Sequence, residues 1–443
     1  MSIEPQPRQE AWWAQDDVWT LLDQHATDDP TELLLHFRGA SAETVRHLAD
    51  QIEGRRTART KWPSLCDVAR FVYPPKLNRE QSSSEATARY KARLVPSGAT
   101  VADLTGGMGI DDIFLSSHAT RLTHFELSPT LSATAAHNFA TLNLHNIDCQ
   151  VGDSLALLRD SDVHYDLIYA DPSRRDTGGR RLYDPADCQP DVVSAAEWLL
   201  TRTHTLLIKV SPMADLQALT RRMPHLAEIH ILSVRGECRE LLLLCHSADG
   251  SSPATPRAAT GSTDADHIPI VCVGLDLDGT ERFRLAATAT DERRQDIAYA
   301  TSPRRYLYDP DAALTKGRLW RTVAARYELD KLAPNTHLYT SDQLVSQFPG
   351  RCFEVLQEVR LDPRSVAALL PERRAHVVSR NHPLEASALM RHLKLHEGGD
   401  LFVFGTTLRD RKTGLLCRRI AEPTAVDATP TGGGCDANLA SQG

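Results

Sequence analysis

Val101-Ala102-Asp103-Leu104-Thr105-Gly106-Gly107-Met108-Gly109-Ile110-Asp111-Asp112 reads as a β-strand that ends in a glycine-rich turn and opens directly into a helix. Glycine lets the backbone take positive φ and come close to a ligand, and the first helical turn leaves N–H groups free for an anionic end. A strand, turn and helix of this kind start a doubly wound α/β sheet, whose ligands bind beyond the carboxyl ends of the strands. A dinucleotide fingerprint would carry a third glycine where Asp112 stands, so the spacing argues against a nicotinamide enzyme.

Working outward, short β-rich apolar runs recur at 100–104, 122–126, 147–151, 166–170, 204–210, 228–234 and 240–245, separated mainly by helical stretches. The last two runs lie too close for a crossover helix and should pair antiparallel through Arg235-Gly236-Glu237. The expected core is therefore a Rossmann-like α/β domain over 96–247. Upstream, Val18 to Leu22, Leu33 to Phe37 and Val45 to Ile52 carry apolar residues at helical spacing, giving a helical N-terminal domain over 1–95. It closes on a polar loop that runs from Lys76 into a helical pattern ending near Lys91. Downstream, 248–266 is rich in Ser, Thr, Ala, Gly and Pro and reads as a linker. Residues 267–421 read as small α+β modules with strands at 268–275, 355–359 and 401–404, and the tail 422–443 as disordered.

The chain has 443 residues, 41% of them hydrophobic and 24% charged, with a formal net charge of -8. That is a globular composition. No stretch approaches the roughly 20 uninterrupted apolar residues that cross a bilayer, and the sequence opens without a secretory signal pattern, so a cytoplasmic protein is expected. Nine cysteines without a Cys-x-x-Cys pair fit neither a disulfide framework nor a zinc ribbon, and no metal is expected. Between Arg373 and Arg419, ten Lys/Arg stand against four Asp/Glu. Such a local excess suits phosphate, and equally a solvated basic face.

Further acidic residues follow where such a sheet would hold a nucleoside. Glu126, twenty-three residues after Asp103 and followed by Leu127, can accept both ribose hydroxyls. Asp153, followed by Ser154, can accept the exocyclic amine of adenine. Each carboxylate read singly is a helix cap or a loop end. Asp171-Pro172 ends the fourth run, next to the first strand where strand order reverses. One carboxylate there suffices to orient an attacking amine. The other reading is that Asp171-Pro172 begins a turn.

Asp103 to Asp111, Glu126, Gly152-Asp153 and Asp171-Pro172 together resemble the class I S-adenosylmethionine-dependent methyltransferases, whose sheet has seven strands with the last antiparallel. Glu80 to Lys91, Asp171-Pro172-Ser173-Arg174-Arg175 and Lys209-Val210-Ser211-Pro212-Met213 resemble more specifically the bacterial members with a C-terminal THUMP-like domain. Asn381-His382-Pro383, Gly398-Gly399-Asp400-Leu401 and Arg409-Asp410-Arg411-Lys412 carry the likeness in the last part, where ferredoxin-like and THUMP-like modules are expected. The resemblance implies S-adenosylmethionine as cofactor, with Glu126 holding the ribose, Asp153 the adenine edge, and Leu127 and Ser154 also cofactor-binding. The turn from Thr105 through Gly106, Gly107 and Met108 to Gly109 would take the methionine moiety, Asp103 and Asp111 would be cofactor-binding as well, and a loop from Ser83 to Thr87 would close over the ligand.

The resemblance also puts Asp171 and Pro172 at the reaction, with Arg174, Arg175 and Lys209 toward the substrate. THUMP domains proper bind structured RNA, so RNA is the implied partner. Amino-methylating relatives carry Pro-Pro and an aromatic where Pro172-Ser173-Arg174 stands, so base stacking must come from elsewhere. The pyrimidine C5 enzymes need a cysteine near the fifth strand, which here ends in Val210-Ser211-Pro212; Cys188 and Cys238 are read as buried inert thiols, with the nucleophile as the alternative. Three functions stay open: an enzyme methylating a base nitrogen of structured RNA, a methyltransferase acting on a protein or small molecule, and a catalytically silent RNA-binding scaffold.

Overall fold

A computed structural model describes residues 12–14, 16–25, 29, 42–172, 189–247 and 265–421. The expected helix at Leu33 to Phe37, the segment bearing Ser173, Arg174, Arg175, Arg180, Arg181 and Cys188, the linker up to 264 and the tail from 422 lie outside the described residues. The chain divides into two units. One comprises Met1–Arg294 with Ala312–Leu319, the other Gln295–Asp311 with Trp320–Gly443.

The first unit is built on β1 (Ala99–Asp103), β2 (Ala119–Glu126), β3 (Ile147–Val151), β4 (Tyr165–Ala170), β5 (Thr203–Val210), β6 (Leu226–Val234), β7 (Glu237–His246), β8 (Ile270–Leu275) and β9 (Glu281–Ala287). They form one sheet in the order β3-β2-β1-β4-β5-β7-β6-β8-β9. Strands β1 to β5 pair in parallel, and β7 enters antiparallel between β5 and β6. The β6–β7 hairpin turns at Arg235 and Gly236, both at positive φ (51° and 80°), the geometry of a two-residue turn that follows the sheet's twist. The seven expected strands are therefore present, and the sheet continues beyond them. Residues 270–287 were expected in the C-terminal modules; instead β8 pairs parallel with β6 and β9 antiparallel with β8. The reason is chemical: Val271, Val273 and Leu275 join Leu232, Val234 and Leu242 in the buried layer of this sheet.

The N-terminal helices do not stop at residue 95 as a separate body. Trp62, Phe71 and Tyr73 share one apolar cluster with Met108, Ile110 and Phe114, at the start of the helix that follows β1. Asn138 clamps the arrangement, accepting from Val72 N (2.8 Å) and donating to Val72 O (2.9 Å).

The second unit holds β10 (Tyr306–Pro310), β11 (Asp330–Ala333), β12 (Thr336–Ser341), β13 (Gly350–Val359), β14 (His376–Arg380), β15 (Leu401–Leu408) and β16 (Arg411–Arg419). Their order is β11-β12-β10-β13-β16-β15-β14, with only the β14–β15 pair parallel. The sheet curls so that its two ends approach. Asn381, just past β14, donates to Thr336 at the head of β12 (2.9 Å).

Candidate active site

The turn after β1 is shaped by its own side chains. Asp103 is buried, and its Oδ1 accepts from the Thr105 backbone N–H (2.8 Å) and hydroxyl (3.0 Å). Thr105 Oγ1 in turn accepts from the Asp171 N–H (2.7 Å), so the ends of β1 and β4 are fixed together. A Cβ on Gly106 would fall 2.2 Å from the His124 ring, and one on Gly109, whose φ is +79°, would fall 2.4 Å from Phe139. Glycine at these two positions is a packing requirement, and the turn then lies close against β2 and the helix Pro129–Thr141.

Glu126 closes the turn from β2. Its Oε2 accepts from Gly107 N (2.9 Å) and its Oε1 from Ser128 N (2.7 Å), leaving further lone pairs on both oxygens for hydroxyl donors. Beside it Leu127 is 72% exposed, and Val151, partner of Glu126 across β2–β3, is 50% exposed. Two large apolar side chains bared at adjacent strand ends, next to a carboxylate and a glycine turn, suit the flat base and ribose of an adenosine. Asp153 caps the helix Ser154–Arg159 through Ala156 N (3.0 Å), the capping role weighed above, and it is exposed; Ser154 is buried.

Other expected ligand-facing residues turn inward. Ser84 caps the helix Glu85–Ala92, and Ser83 and Thr87 are buried, so this segment is packed structure rather than a loop over a ligand. Ser83 Oγ donates to Asp111 Oδ2 (2.8 Å) and accepts from Lys91 Nζ (2.7 Å). Met108 is spent in the cluster with Trp62 and Phe71. Asp111 also accepts from the Tyr169 hydroxyl (2.9 Å) and pairs with Lys91 (2.9 Å).

These contacts belong to a buried chain of alternating charge. Lys91 bridges Asp111 and Glu240 (3.1 Å), Glu240 lies 4.0 Å from Lys209, and Lys209 donates to Asp171 Oδ2 at 2.5 Å. Burial opposes both charges of the Lys91–Asp111 pair, but mutual attraction outweighs it. The ammonium titrates above its ordinary value, helped by Glu240, and the Asp111 carboxyl below its own, helped by Lys209. Lys61, whose Nζ donates to Arg79 O (2.5 Å), is pushed down to about 8 by burial and by the positive Lys209 and Arg239.

Asp171 ends this chain at the surface. Its side chain is 24% exposed at the carboxyl end of β4, and Pro172 beside it is buried. Lys209, expected toward the substrate, has its ammonium committed to Asp171. Arg174 and Arg175 fall outside the described residues.

Lys91, Tyr169 and Glu240 were not singled out by the sequence. Only Glu240 carried a signal, a lone carboxylate at the head of the apolar run Leu241 to Leu244. A second buried group was missed too: Asp112 Oδ2 lies 2.6 Å from His124 Nδ1 behind the glycine turn. Burial pushes the Asp103 and Asp112 carboxyls well up and the His124 imidazole down, which favours the neutral forms.

Comparison with known proteins bears on this arrangement. A crystallographically solved protein of Porphyromonas gingivalis W83, assigned as a methyltransferase, is 32% identical to this chain; the match covers 91% of this chain and 98% of that one, with a TM-score of 0.78. Two Mycobacterium tuberculosis proteins, from strains H37Rv and CDC 1551, are each described as an uncharacterized S-adenosylmethionine-dependent methyltransferase. Both are 26% identical over 374 residues, covering 82% of this chain and 94% of each relative. Residues 306–349 match a ferredoxin-like domain family and 350–419 a THUMP domain-like family.

Proposed function

The chain belongs to the class I S-adenosylmethionine-dependent methyltransferases with a C-terminal THUMP-like domain, and from that premise we propose that it methylates a nitrogen of a base in structured RNA. The observation that carries the reading is the placement of Asp171, at the exposed carboxyl end of β4 with one oxygen anchored by Lys209. S-adenosylmethionine, when bound, supplies a methyl group on a sulfonium whose departure as a neutral thioether needs no acid.

The side chains of this protein then have three tasks. Glu126, with Leu127 and Val151 flanking it, binds and orients the adenosine part, and the turn from Thr105 to Gly109 takes the amino-acid part at its backbone. The second oxygen of Asp153 remains to accept from an adenine amine. Asp171 uses Oδ1, which carries no hydrogen bond among the described residues, to accept from the N–H of the acceptor. This aims the nitrogen lone pair and draws the proton away as positive charge develops on that nitrogen.

RNA as the acceptor is supported by the THUMP-like stretch and by the basic excess between Arg373 and Arg419. The test is incubation of the purified full chain with a tritiated methyl donor and either total RNA or total protein from a bacterial lysate. Label recovered as a methylated nucleoside, and lost in Asp171→Ala, is the expected result. Label appearing only on protein, or on neither fraction, would sink the RNA reading.

A further inference from the structure

In the second unit a cleft of about 460 Å³ opens beside the carboxyl end of β14, within the size range of small-molecule sites. Its chemistry centres on Asp309 of β10, which is buried. Arg351, the cross-strand partner of Asp309 on β13, donates to Oδ2. Arg380, the last residue of β14, grips the same carboxylate with both arms of its guanidinium, Nε to Oδ1 at 3.0 Å and Nη2 to Oδ2 at 3.1 Å. One buried carboxylate is balanced by one guanidinium. The second is surplus over Asp309 and is opposed on the cleft wall by the exposed Glu385, and both arginine heads line the cleft while remaining 38% and 44% exposed.

Two further features share the cleft. The helix Ala386–Leu393 begins in it, and no side chain caps its first turn. Glu385, exposed on the same wall, is the one opposing charge among the described lining residues besides the Asp309 brace. A purely structural ion pair would not need two arginines converging on an open concavity. Asp309 takes the Nε and Nη2 edge of Arg380 and Ser379 O accepts from its Nη1 (3.2 Å), so the guanidinium is held rigid and its remaining N–H groups can meet a phosphate oxygen without the entropic cost of a mobile surface arginine.

We propose that this cleft binds a backbone phosphate of an RNA strand through Arg351 and Arg380. The proposal rests on the RNA reading above and deepens it: the second unit grips RNA by its backbone, without reading bases. Arg351 and Arg380 are positioned by Asp309, so the grip is set before RNA arrives.

The test is fluorescence anisotropy of the full chain with a labelled RNA hairpin bearing a single-stranded tail, over a salt series, with thermal melts as a check on folding. Arg380→Ala should weaken binding about tenfold and lower the slope of log affinity against log salt by about 1. Ala386→Glu places a carboxylate at the first helical position, where the helix dipole favours it, so the fold is kept while the cleft becomes repulsive. It should also weaken binding about tenfold, by a charge effect of the same kind. Glu385→Gln should tighten binding, a gain that a structural brace would not produce. Wild-type binding left unchanged by all three substitutions overturns the cleft and leaves the RNA reading standing. Displacement of RNA from the wild type by micromolar inorganic phosphate would assign the cleft to a small anion and likewise overturn the proposal. A wild type that binds no RNA overturns the cleft and the RNA reading together, and the methyl-label experiment then shows which acceptor class remains.

Discussion

Lys209 Nζ sits 2.5 Å from Asp171 Oδ2, on the neighbouring strand of the sheet. Behind it Glu240, Lys91 and Asp111 continue the alternation of charge into the core. Four of these five side chains are buried or nearly so, which is costly, and such a chain persists only where each charged group meets its opposite in good geometry. The consequence at the surface is a carboxylate that cannot swing freely, because one of its oxygens is tied to a nearly buried ammonium.

That tie gives Asp171 its expected signature. Asp171→Ala should reduce methyl transfer by at least about 100-fold, the scale of losing a positioned acid–base group. Affinity for S-adenosylmethionine, read by calorimetry, should move little, since the adenosine pocket proposed above lies at β2 and β3. Transfer at the wild-type rate would remove Asp171 from the reaction.

Lys91 tests the interior of the chain. Its ammonium is buried between Asp111 at 2.9 Å and Glu240 at 3.1 Å. Lys91→Met should destabilise the protein by roughly 3 to 5 kcal/mol, because two carboxylates are left in the core without that partner. The pH dependence follows from the pair. Asp111 is held below its ordinary value, so its contribution is present above pH about 4 and is lost as pH falls through the lowered value. Lys91 is raised, so its contribution is present below pH about 10.5 and is lost as pH rises through the raised value. Urea midpoints of Lys91→Met should lose both limbs. A cost under about 1 kcal/mol, the scale of an exposed pair, would show that the pair is not truly buried.

The adenosine pocket is tested at Glu126. Glu126→Ala removes the acceptor of Gly107 N and Ser128 N as well as the expected ribose contact. Cofactor binding should weaken by roughly 1 to 3 kcal/mol, the usual cost of stranded polar groups. Asp153→Asn keeps a helix cap and loses the charge, so it should weaken binding less than Asp153→Ala. Wild-type affinity in Glu126→Ala would move the pocket elsewhere.

Much of this was legible in the sequence, for reasons that differ by element. β1, β2 and β4 to β7 read clearly because strands of a sheet covered on both faces are apolar runs, as in Leu206 to Ile208 and Leu241 to Leu244, while the edge strand β3 reads by alternation, with Asp148 and Gln150 exposed. β9, β10, β11, β12, β14 and β16 did not: short strands such as Asp330–Ala333, or Arg411–Arg419 with charged ends, carry too little apolar pattern to stand out. The acidic positions Glu126 and Asp171 were legible because each closes a strand. Whether Ser83, Met108 and Asp111 face a ligand or the core was not, because that depends on the N-terminal helices packing over the turn, a contact between residues far apart in sequence.

The glycine turn yields a steric prediction. Gly109→Ala meets both a left-handed backbone (φ +79°) and the Phe139 ring at 2.4 Å. Strain and overlap each cost roughly 1 to 3 kcal/mol, so cofactor binding and thermal stability should fall together. Adding Phe139→Leu should recover only part of the loss, since it removes the overlap and leaves the backbone strain. Full recovery would show that φ was not the constraint.

The pair behind the turn titrates in a way that a surface pair would not. Asp112 is buried and its carboxyl is pushed well above the usual range, so the folded protein keeps a proton that the unfolded chain releases above pH about 4. Its effect is a stability that falls as pH rises through the window between those two values. His124 has the opposite sense. Its imidazole is pushed below its ordinary value, so the unfolded chain takes up a proton below pH about 6.5 that the folded protein refuses, and stability falls as pH drops. Asp112→Asn removes the first slope, keeps a hydrogen-bonding partner for His124 and leaves the second slope intact. Urea midpoints of the variant, measured against wild type from pH about 4 upward, should gain as pH rises toward the raised value. Parallel curves would mean that the Asp112 carboxyl is not raised in the folded protein, reversing its assignment as neutral.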